Sequence, residues 1–241
     1  MNFPRNSAAP IASRPGPPQR SALPLNMIPH VLASLRTVAD FLYWQQRFAG
    51  VRGFLHELEG YMLLQLAAHG GGTGAIVEIG SFMGRSTAYL AAGSKSNGRE
   101  MVVAVDHFRG SPENQVGEAY ADPTLALEGT TLRVFKENLA ALALSDHVTT
   151  LVQSSAQAAA SWRGPIRLLF IDADHSYESS RADFELWSPH VVSHGLVCFH
   201  DITNWPGVTQ FYQELLSTTE EYQEVGGVVS LRVLQKRGPV A

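Results

Sequence analysis

Four acidic residues of this 241-residue sequence each stand at the end of a short apolar run. They are Glu78, Asp106, Asp172 and Asp201. The runs have the length of buried strands, and open α/β sheets bind their ligands at the carboxyl ends of the strands. One acid at an exposed strand end needs no functional explanation, but four of them favour a polar site.

A glycine turn follows the first of these acids. Gly80 ends the apolar run, and Gly84 precedes Ser86 and an Ala/Leu-rich helix pattern. A strand that enters a helix through glycines brings backbone N–H groups up to a ligand. The turn differs from the dinucleotide fingerprint Gly-x-Gly-x-x-Gly, because Ser81 and Phe82 stand where a pyrophosphate needs bare backbone.

Strands and helices alternate along the chain in the way that would position these residues. Strands are predicted at 75–79, 101–105, 148–152, 167–171 and 196–199, helices at 54–69, 86–92, 131–144, 177–187 and 207–218, and two further strands within 222–236. This order predicts an α/β fold with a doubly wound, mostly parallel seven-stranded sheet. We expect an antiparallel β-hairpin to close the sheet and helices to precede it.

The chain is expected to have three parts. Residues 1–24 are rich in Pro, Ser, Ala and Arg and predict a flexible tail. Residues 25–53 carry apolar positions at helical spacing and predict a lid or a dimer element. Residues 54–238 form the main domain, in which the long polar stretch 107–129 is typical of a lid or binding loop.

Composition excludes several classes of protein. The net charge of −4 gives no basic field for nucleic acid, and no apolar stretch is long enough to span a bilayer. Cys198 is alone, so no intrachain disulfide is possible, and its place in a strand predicts a buried small hydrophobe. No basic start followed by an apolar h-region appears, so we expect no secretory signal. We expect a cytoplasmic protein that binds neither nucleic acid nor membrane.

Several motifs resemble one enzyme family. Glu78–Ser86 resembles motif I of the class I S-adenosylmethionine-dependent methyltransferases. Phe170–Glu178 is similar to the DxDHSYE stretch of the cephalosporin hydroxylase/macrocin O-methyltransferase-like subgroup. Val105–Glu113 and Gly195–Asp201 also resemble that subgroup, so the likeness covers about residues 55–235.

The resemblance implies S-adenosylmethionine as the cofactor. Asp106 lies 22 residues after Gly84, where one carboxylate would accept hydrogen bonds from both ribose hydroxyls. Backbone N–H groups at the glycine turn would bind the methionine carboxylate, and His107 or Phe108 would flank the adenine. The implied cofactor-binding set is Glu78, Gly80, Ser81, Phe82, Gly84, Ser86, Asp106, His107, Ser154, Ser155, Ala156 and Asp172.

The implied chemistry is methyl transfer to a small molecule, with a hydroxyl of a sugar or natural-product scaffold as the expected acceptor. Asp172, His175 and Asp201 are the predicted catalytic residues, with His175 as general base because imidazole titrates near neutral pH. A structural role for His175 in the strand-to-helix turn is an equal alternative. His200 is the second candidate base. Trp205 either walls an acceptor pocket or only precedes the next helix.

The sequence leaves open whether the site also holds a divalent cation such as Mg²⁺. Asp172 and Asp201 end neighbouring strands about 4.8 Å apart, so both carboxylates can reach one hard cation. Metal-using relatives place a further acid or amide directly after the second acid, but Ile202 stands there in this chain. Asp174, His175 or His200 would have to complete the coordination.

Two other functions compete with methyl transfer. An NAD-dependent oxidoreductase would also use a glycine turn and an acid on the second strand, although the glycine spacing disfavours it. A non-catalytic cofactor-binding module in an assembly is the other alternative. The helical segment 25–53 also leads us to expect a homo-oligomer.

Overall fold

A computed structural model describes residues 27–238 of the protein. The segment 1–24, predicted as a flexible tail, lies outside these residues. The chain divides into two compact units, one up to Asp40 and one from Phe41. The domain boundary placed after residue 53 stays a prediction.

The first helix, α1, runs from Ile28 to Phe48. This confirms the helix that apolar spacing predicted at this place. In the part of α1 that belongs to the first unit, Leu32, Leu35 and Val38 are exposed. No helix within residues 27–238 is both long and apolar enough to cross a membrane.

The second unit is built on one seven-stranded sheet. Its strands are β1 (Ala75–Ile79), β2 (Val102–Asp106), β3 (Val148–Val152), β4 (Ile166–Ile171), β5 (Val191–Phe199), β6 (Tyr222–Val228) and β7 (Leu231–Lys236). Their order across the sheet is β3-β2-β1-β4-β5-β7-β6. Strands β1 to β5 are parallel, and β7 runs antiparallel to both β5 and β6. The order in which strands are added to the sheet reverses between β1 and β4, with β2 and β3 on one side and β5 on the other. The ends of β1, β2, β4 and β5 therefore border one crevice.

Helices cover both faces of this sheet. They are α2 (Glu57–His69), α3 (Arg85–Ser96), α4 (Pro123–Glu128), α5 (Leu132–Ala141), α6 (Ser155–Ser161), α7 (Tyr177–Trp187) and α8 (Pro206–Thr218). Leu63, Tyr89 and Phe135 belong to the core on one face, and Trp187 and Phe211 to the core on the other. A parallel strand between two such cores is buried on both faces, which is why β4 is a continuous apolar run apart from Arg167.

The predicted irregular stretch 107–129 contains a helix that sequence reasoning missed. Helix α4 begins with Pro123, and the Asp122 carboxylate accepts hydrogen bonds from the N–H groups of Thr124 and Leu125. An aspartate before proline is a recognised start of a helix, because it satisfies N–H groups that have no partner in the first turn. Gly129 ends the helix at a φ of +67°.

Strand β5 is longer than predicted. It begins at Val191, whereas the apolar run predicted a start at Leu196. Ser193 and His194 are exposed, so the first part of the strand does not show the apolar run by which the strand was predicted. Val191 nevertheless pairs with Ile166, and the register shifts before Leu196 meets Leu168.

Candidate functional site

One cavity lies at the carboxyl ends of the parallel strands. Its volume is about 890 Å³, enough for a cofactor and a small acceptor together. Every residue of the predicted cofactor-binding and catalytic sets lines it except Glu78 and Gly84, and the alternative candidates Phe108 and His200 do not line it either. The cavity therefore brings the glycine turn, the ends of β2, β4 and β5, and the start of α6 to a single place.

The glycine turn depends on the absence of a side chain at position 80. Gly80 has a φ of +86°, and a Cβ atom there would lie 2.0 Å from the carbonyl oxygen of Asp172. Only glycine permits this approach, so the turn after β1 can pass beside the end of β4. The N–H of Asp172 donates to the carbonyl of Ile79 at 2.9 Å and joins the two strand ends.

Asp106 holds the glycine turn in place. One carboxylate oxygen accepts hydrogen bonds from the N–H groups of Ser81 and Phe82, both at 2.8 Å. The other accepts from the N–H of Phe108 at 2.6 Å. Asp106 thus orients the loop, and its carboxylate still borders the cavity.

Glu78 lies beneath the turn and is fully buried. The hydroxyl groups of Ser81, at 2.8 Å, and of Thr87 donate to its Oε2 atom, whereas Oε1 has no hydrogen-bond partner among the described residues. Burial raises the pKa of Glu78 to about 7, and the hydroxyl donors only partly offset that effect. The carboxyl is therefore near its titration point at neutral pH.

Of the two rings predicted to flank an adenine, only one borders the cavity. His107 lines the cavity, but Phe108 is completely buried and packs on Phe135 with ring centroids 4.9 Å apart. Ser154 begins α6 with a capping box, and the Ser155 hydroxyl accepts a hydrogen bond from the Trp187 indole at 2.9 Å. Residues 154–156 of the predicted cofactor-binding set therefore form a helix start that borders the cavity.

Opposite the glycine turn, His175 links two loops. Its Nδ1 atom lies 2.6 Å from Glu113 Oε1, and its Nε2 atom lies 3.0 Å from Asp201 Oδ2. Both partners are carboxylates that can only accept, so both ring nitrogens donate and the ring is an imidazolium. Burial opposes this charge, but the carboxylates of Asp172 and Asp201 outweigh it and raise the pKa of His175 to about 10.

A second histidine lies below this cluster and is almost completely buried. His200 has Asp172 Oδ1 3.0 Å from Nδ1 and Glu59 Oε2 2.9 Å from Nε2. Burial disfavours a charged ring, but the negative charge of Asp172 and the hydrogen bonds to Asp172, Asp201 and Glu59 raise the pKa of His200 far above its usual value. The geometry and the raised pKa therefore favour a protonated His200 ring between Asp172 and Glu59.

Glu59 joins this network from α2, distant in sequence. Its Oε1 atom accepts from the N–H and hydroxyl of Ser230, at 2.8 and 2.7 Å, and from the N–H of Leu231 at 3.1 Å. Burial favours the neutral acid, but the hydrogen bond from His200 and its charge hold the pKa of Glu59 below its usual value. Glu59 therefore anchors both the β6–β7 turn and the second histidine.

Asp201 is held in a strained conformation. Its φ is +60°, a left-handed value that residues other than glycine rarely adopt and that costs about 1–3 kcal/mol. Its Oδ1 atom accepts from the side-chain amide of Asn204 at 3.0 Å. Burial opposes ionisation, but His175 and His200 hold the pKa of Asp201 far below its usual range. Such backbone strain persists where the surrounding structure fixes the residue, and the contacts with Asn204, His175 and His200 fix Asp201.

The donor atoms of Asp172, His175 and Asp201 lie within 4.8 Å of one another. Each also has a partner outside this trio: Asp172 binds His200, His175 binds Glu113, and Asp201 binds Asn204. Outer hydrogen bonds of this kind orient metal ligands. The three donor atoms are therefore close enough to share one divalent cation once His175 has lost the Nε2 proton that it donates to Asp201.

Sequence reasoning missed three contributors to the site: Glu59, Glu113 and Asn204. Glu113 stands in a segment that resembles the family, yet nothing local connects it with His175, 62 residues later. Glu59 looks like an ordinary charged residue in the first turn of a helix. Asn204 follows Asp201 by three positions and supplies an amide where the family pattern has one directly after the acid.

Comparisons with known proteins agree with this geometry. The family model described as "Methyltransferase domain" matches residues 77–202. This span is more than half of the 241 residues and contains the ends of β1, β2, β4 and β5.

Solved structures share the fold at low sequence identity. Cofactor-bound Rv0187 from MTB has a TM-score of 0.59 and 17% identity, with 93% of this chain and 99% of that chain covered. The O-methyltransferase from Bacillus cereus in complex with SAH has a TM-score of 0.56 and 18% identity, with 83% and 91% covered. TomG from Streptomyces achromogenes, an O-methyltransferase involved in tomaymycin synthesis, in complex with SAM, has a TM-score of 0.55 and 14% identity, with 84% and 90% covered. The predicted Rossmann-like fold is confirmed.

Proposed function

Because this chain belongs to the methyltransferase-domain family, as its motifs predicted, we propose that it transfers a methyl group from S-adenosylmethionine to a hydroxyl of a small molecule. One observation carries the proposal: the glycine turn and the Asp172–His175–Asp201 cluster line the same cavity. The two O-methyltransferases with the same fold support transfer to oxygen. Family membership argues against the NAD-dependent alternative.

The donor side fits the cofactor in three ways. Gly84 is the residue that precedes helix α3, and it has no side chain to cap the helix. The first N–H groups of α3 are therefore available to a carboxylate such as that of the methionine moiety. Asp106 borders the cavity with a carboxylate suited to vicinal ribose hydroxyls. The positive charge of the bound cofactor would favour the ionised form of Glu78, which lies beneath the glycine turn.

On the acceptor side, the reaction requires alignment and proton removal. The acceptor oxygen forms a bond to the methyl carbon, the sulfur–carbon bond breaks, and S-adenosylhomocysteine leaves without charge. The acceptor's proton passes to the Asp172–His175–Asp201 cluster. His175 can be the base only after it loses the proton that it donates to Asp201. Glu113, which accepts the hydrogen bond from the remaining N–H at Nδ1, is then the group that orients the ring.

A divalent cation is compatible with this site. Asp172, His175 and Asp201 would hold it, and a bound cation would lower the pKa of an acceptor hydroxyl. The carboxylates suit a hard cation such as Mg²⁺. His200 and Glu113 would then keep the Asp172 and His175 side chains oriented.

Cofactor binding tests the proposal directly. We expect S-adenosylhomocysteine to raise the thermal midpoint and NAD⁺ to leave it unchanged. Asp106→Asn should weaken S-adenosylhomocysteine binding by about 10-fold or more in calorimetry, because charge-assisted hydrogen bonds contribute about 1.5–3 kcal/mol. Asp146→Asn, at an exposed position, is the matched control. Stabilisation by NAD⁺ and not by S-adenosylhomocysteine would overturn the proposal.

A further inference from the structure

Five rings form a continuous row along one side of the cavity. The centroids of Phe82 and Phe54 are 5.7 Å apart, those of Phe54 and Tyr120 5.8 Å, and those of Tyr120 and Trp205 5.7 Å. Trp205 stacks on His175 at 4.6 Å with planes only 13° apart. We name these five residues the aromatic wall. It extends from the glycine turn to the catalytic cluster.

Core packing does not account for this wall. Phe54 is 62% exposed and Tyr120 is 48% exposed, although both line the cavity. The rings come from five separate parts of the chain: the segment before α2, the glycine turn, the loop before α4, the loop after β4 and the loop after β5. Large rings that converge on a cavity and stay open to water are typical of a ligand-binding surface.

The polar side chains beside the wall are already engaged within the protein. Arg52 donates to Asp122 at 3.0 Å and to Thr124 at 2.7 Å. Asn114 accepts from the Ser111 N–H at 3.1 Å and donates to the Tyr120 carbonyl at 3.4 Å. These contacts occupy the polar groups of Arg52 and Asn114 and leave the aromatic faces beside them open. A sugar ring, whose many hydroxyls each need a hydrogen-bond partner, fits such faces less well than a flat ring does.

From this arrangement we infer that the acceptor is a planar aromatic molecule that carries a hydroxyl group, a phenol. Its ring lies against Tyr120 and Trp205, and its oxygen reaches the cluster at His175 and Asp201. The inference rests on the proposed function and narrows the acceptor class, which the sequence had left at a sugar or natural-product scaffold. In the reaction, the phenol oxygen gains the methyl group, sulfur keeps the electron pair of the broken bond, and the phenol proton goes to the cluster.

Binding to the full-length protein saturated with S-adenosylhomocysteine tests the inference. The probes are 2-naphthol and methyl glucoside, with affinities from calorimetry and contacts from saturation-transfer NMR. We expect 2-naphthol to bind through its ring protons and methyl glucoside to bind at least 10-fold more weakly. Tyr120→Leu and Phe54→Leu should each weaken naphthol binding about 2- to 10-fold, in line with measured aromatic pair contributions, without changing S-adenosylhomocysteine affinity.

Tyr43→Leu is the matched control, because Tyr43 is an exposed aromatic residue that does not line the cavity. Stronger binding of the glucoside, or no binding of either probe while S-adenosylhomocysteine binds, would overturn the inference and leave the proposed function standing. Loss of naphthol affinity in Tyr43→Leu equal to that in Tyr120→Leu would also overturn it. Failure of S-adenosylhomocysteine to bind would instead overturn the proposed function.

Discussion

The two sides of the cavity are built in different ways. On the donor side, Asp106 holds the glycine turn through backbone N–H groups of residues 24 and 25 positions away. On the acceptor side, side chains bind other side chains, and the His200–Glu59 contact spans 141 residues. The donor side is thus a local motif on a neighbouring strand, whereas the acceptor side exists only when distant elements have packed.

This difference has a physical consequence. A backbone-bound loop keeps its shape when one charge is removed, because other N–H and carbonyl groups still pair. A buried network of charges is less tolerant, since removal of one partner leaves another charge without compensation. We therefore expect the acceptor side to be more sensitive to substitution in stability, and the donor side to respond mainly in cofactor affinity.

The largest effect is expected at Glu59. Glu59→Ala removes the partner of the buried His200 cation and three acceptor contacts of the β6–β7 turn. Loss of one member of a buried ion pair costs about 3–5 kcal/mol, which urea unfolding will measure. Glu137→Ala, on the exposed side of α5, should leave the unfolding midpoint unchanged.

A double-mutant cycle sharpens this expectation. Glu59→Gln together with His200→Gln removes both charges, so the pair should lose less stability than the sum of the two single variants. Additive losses would show that the two side chains do not act as a pair. That result would contradict the expectation that stability is more sensitive to substitution on the acceptor side than on the donor side of the cavity.

The second-largest effect is expected at Asp201, and it is an effect on activity. Asp201→Asn removes the carboxylate that lies 3.0 Å from His175 Nε2 in the catalytic cluster and should lower kcat/KM about 10²- to 10³-fold, or about 3–4 kcal/mol in transition-state stabilisation. Methyl transfer is followed with the best phenol of an acceptor panel. S-adenosylhomocysteine affinity should change less than twofold, because Asp201 lies on the acceptor side. Unchanged turnover would remove the proposed role of Asp201, and Asp146→Asn is again the control.

Glu78 gives the smallest effect and the one that depends on pH. Its pKa is about 7 in the folded protein and 4.5 in a model peptide, so the folded state binds the proton more tightly. Its contribution to stability is complete below pH 4.5 and is lost as the pH rises through 7. At about 1.4 kcal/mol per pH unit, the loss is about 3 kcal/mol.

Glu78→Gln should abolish that pH dependence. Relative to the parent protein, the variant should gain stability between pH 5 and pH 8 in urea unfolding, because the glutamine needs no ionisation in the buried site. Glu137→Gln should show no such gain. A difference between Glu78→Gln and the parent that is constant across this pH interval would contradict the expected titration.

The sequence predicted most of what depends on contiguous residues. The alternation of strands and helices, the glycine turn and the carboxylates at four strand ends were all predicted, because apolar periodicity and glycine conformation act locally. Helix α4 was missed although Asp122 and Pro123 are a local start signal. The start of β5 could not be predicted, because Ser193 and His194 break the apolar run while long-range pairing continues it.

The candidate site divides along the same line. By itself the sequence determined which residues stand at the strand ends and which family pattern they follow. Only the tertiary structure decided that Glu113 and Asp201 flank His175, that Glu59 and Asp172 keep His200 charged, and that rings from five segments form one wall. The reason is that protonation and ring exposure are set by burial and by neighbours far away in sequence, which no local pattern contains.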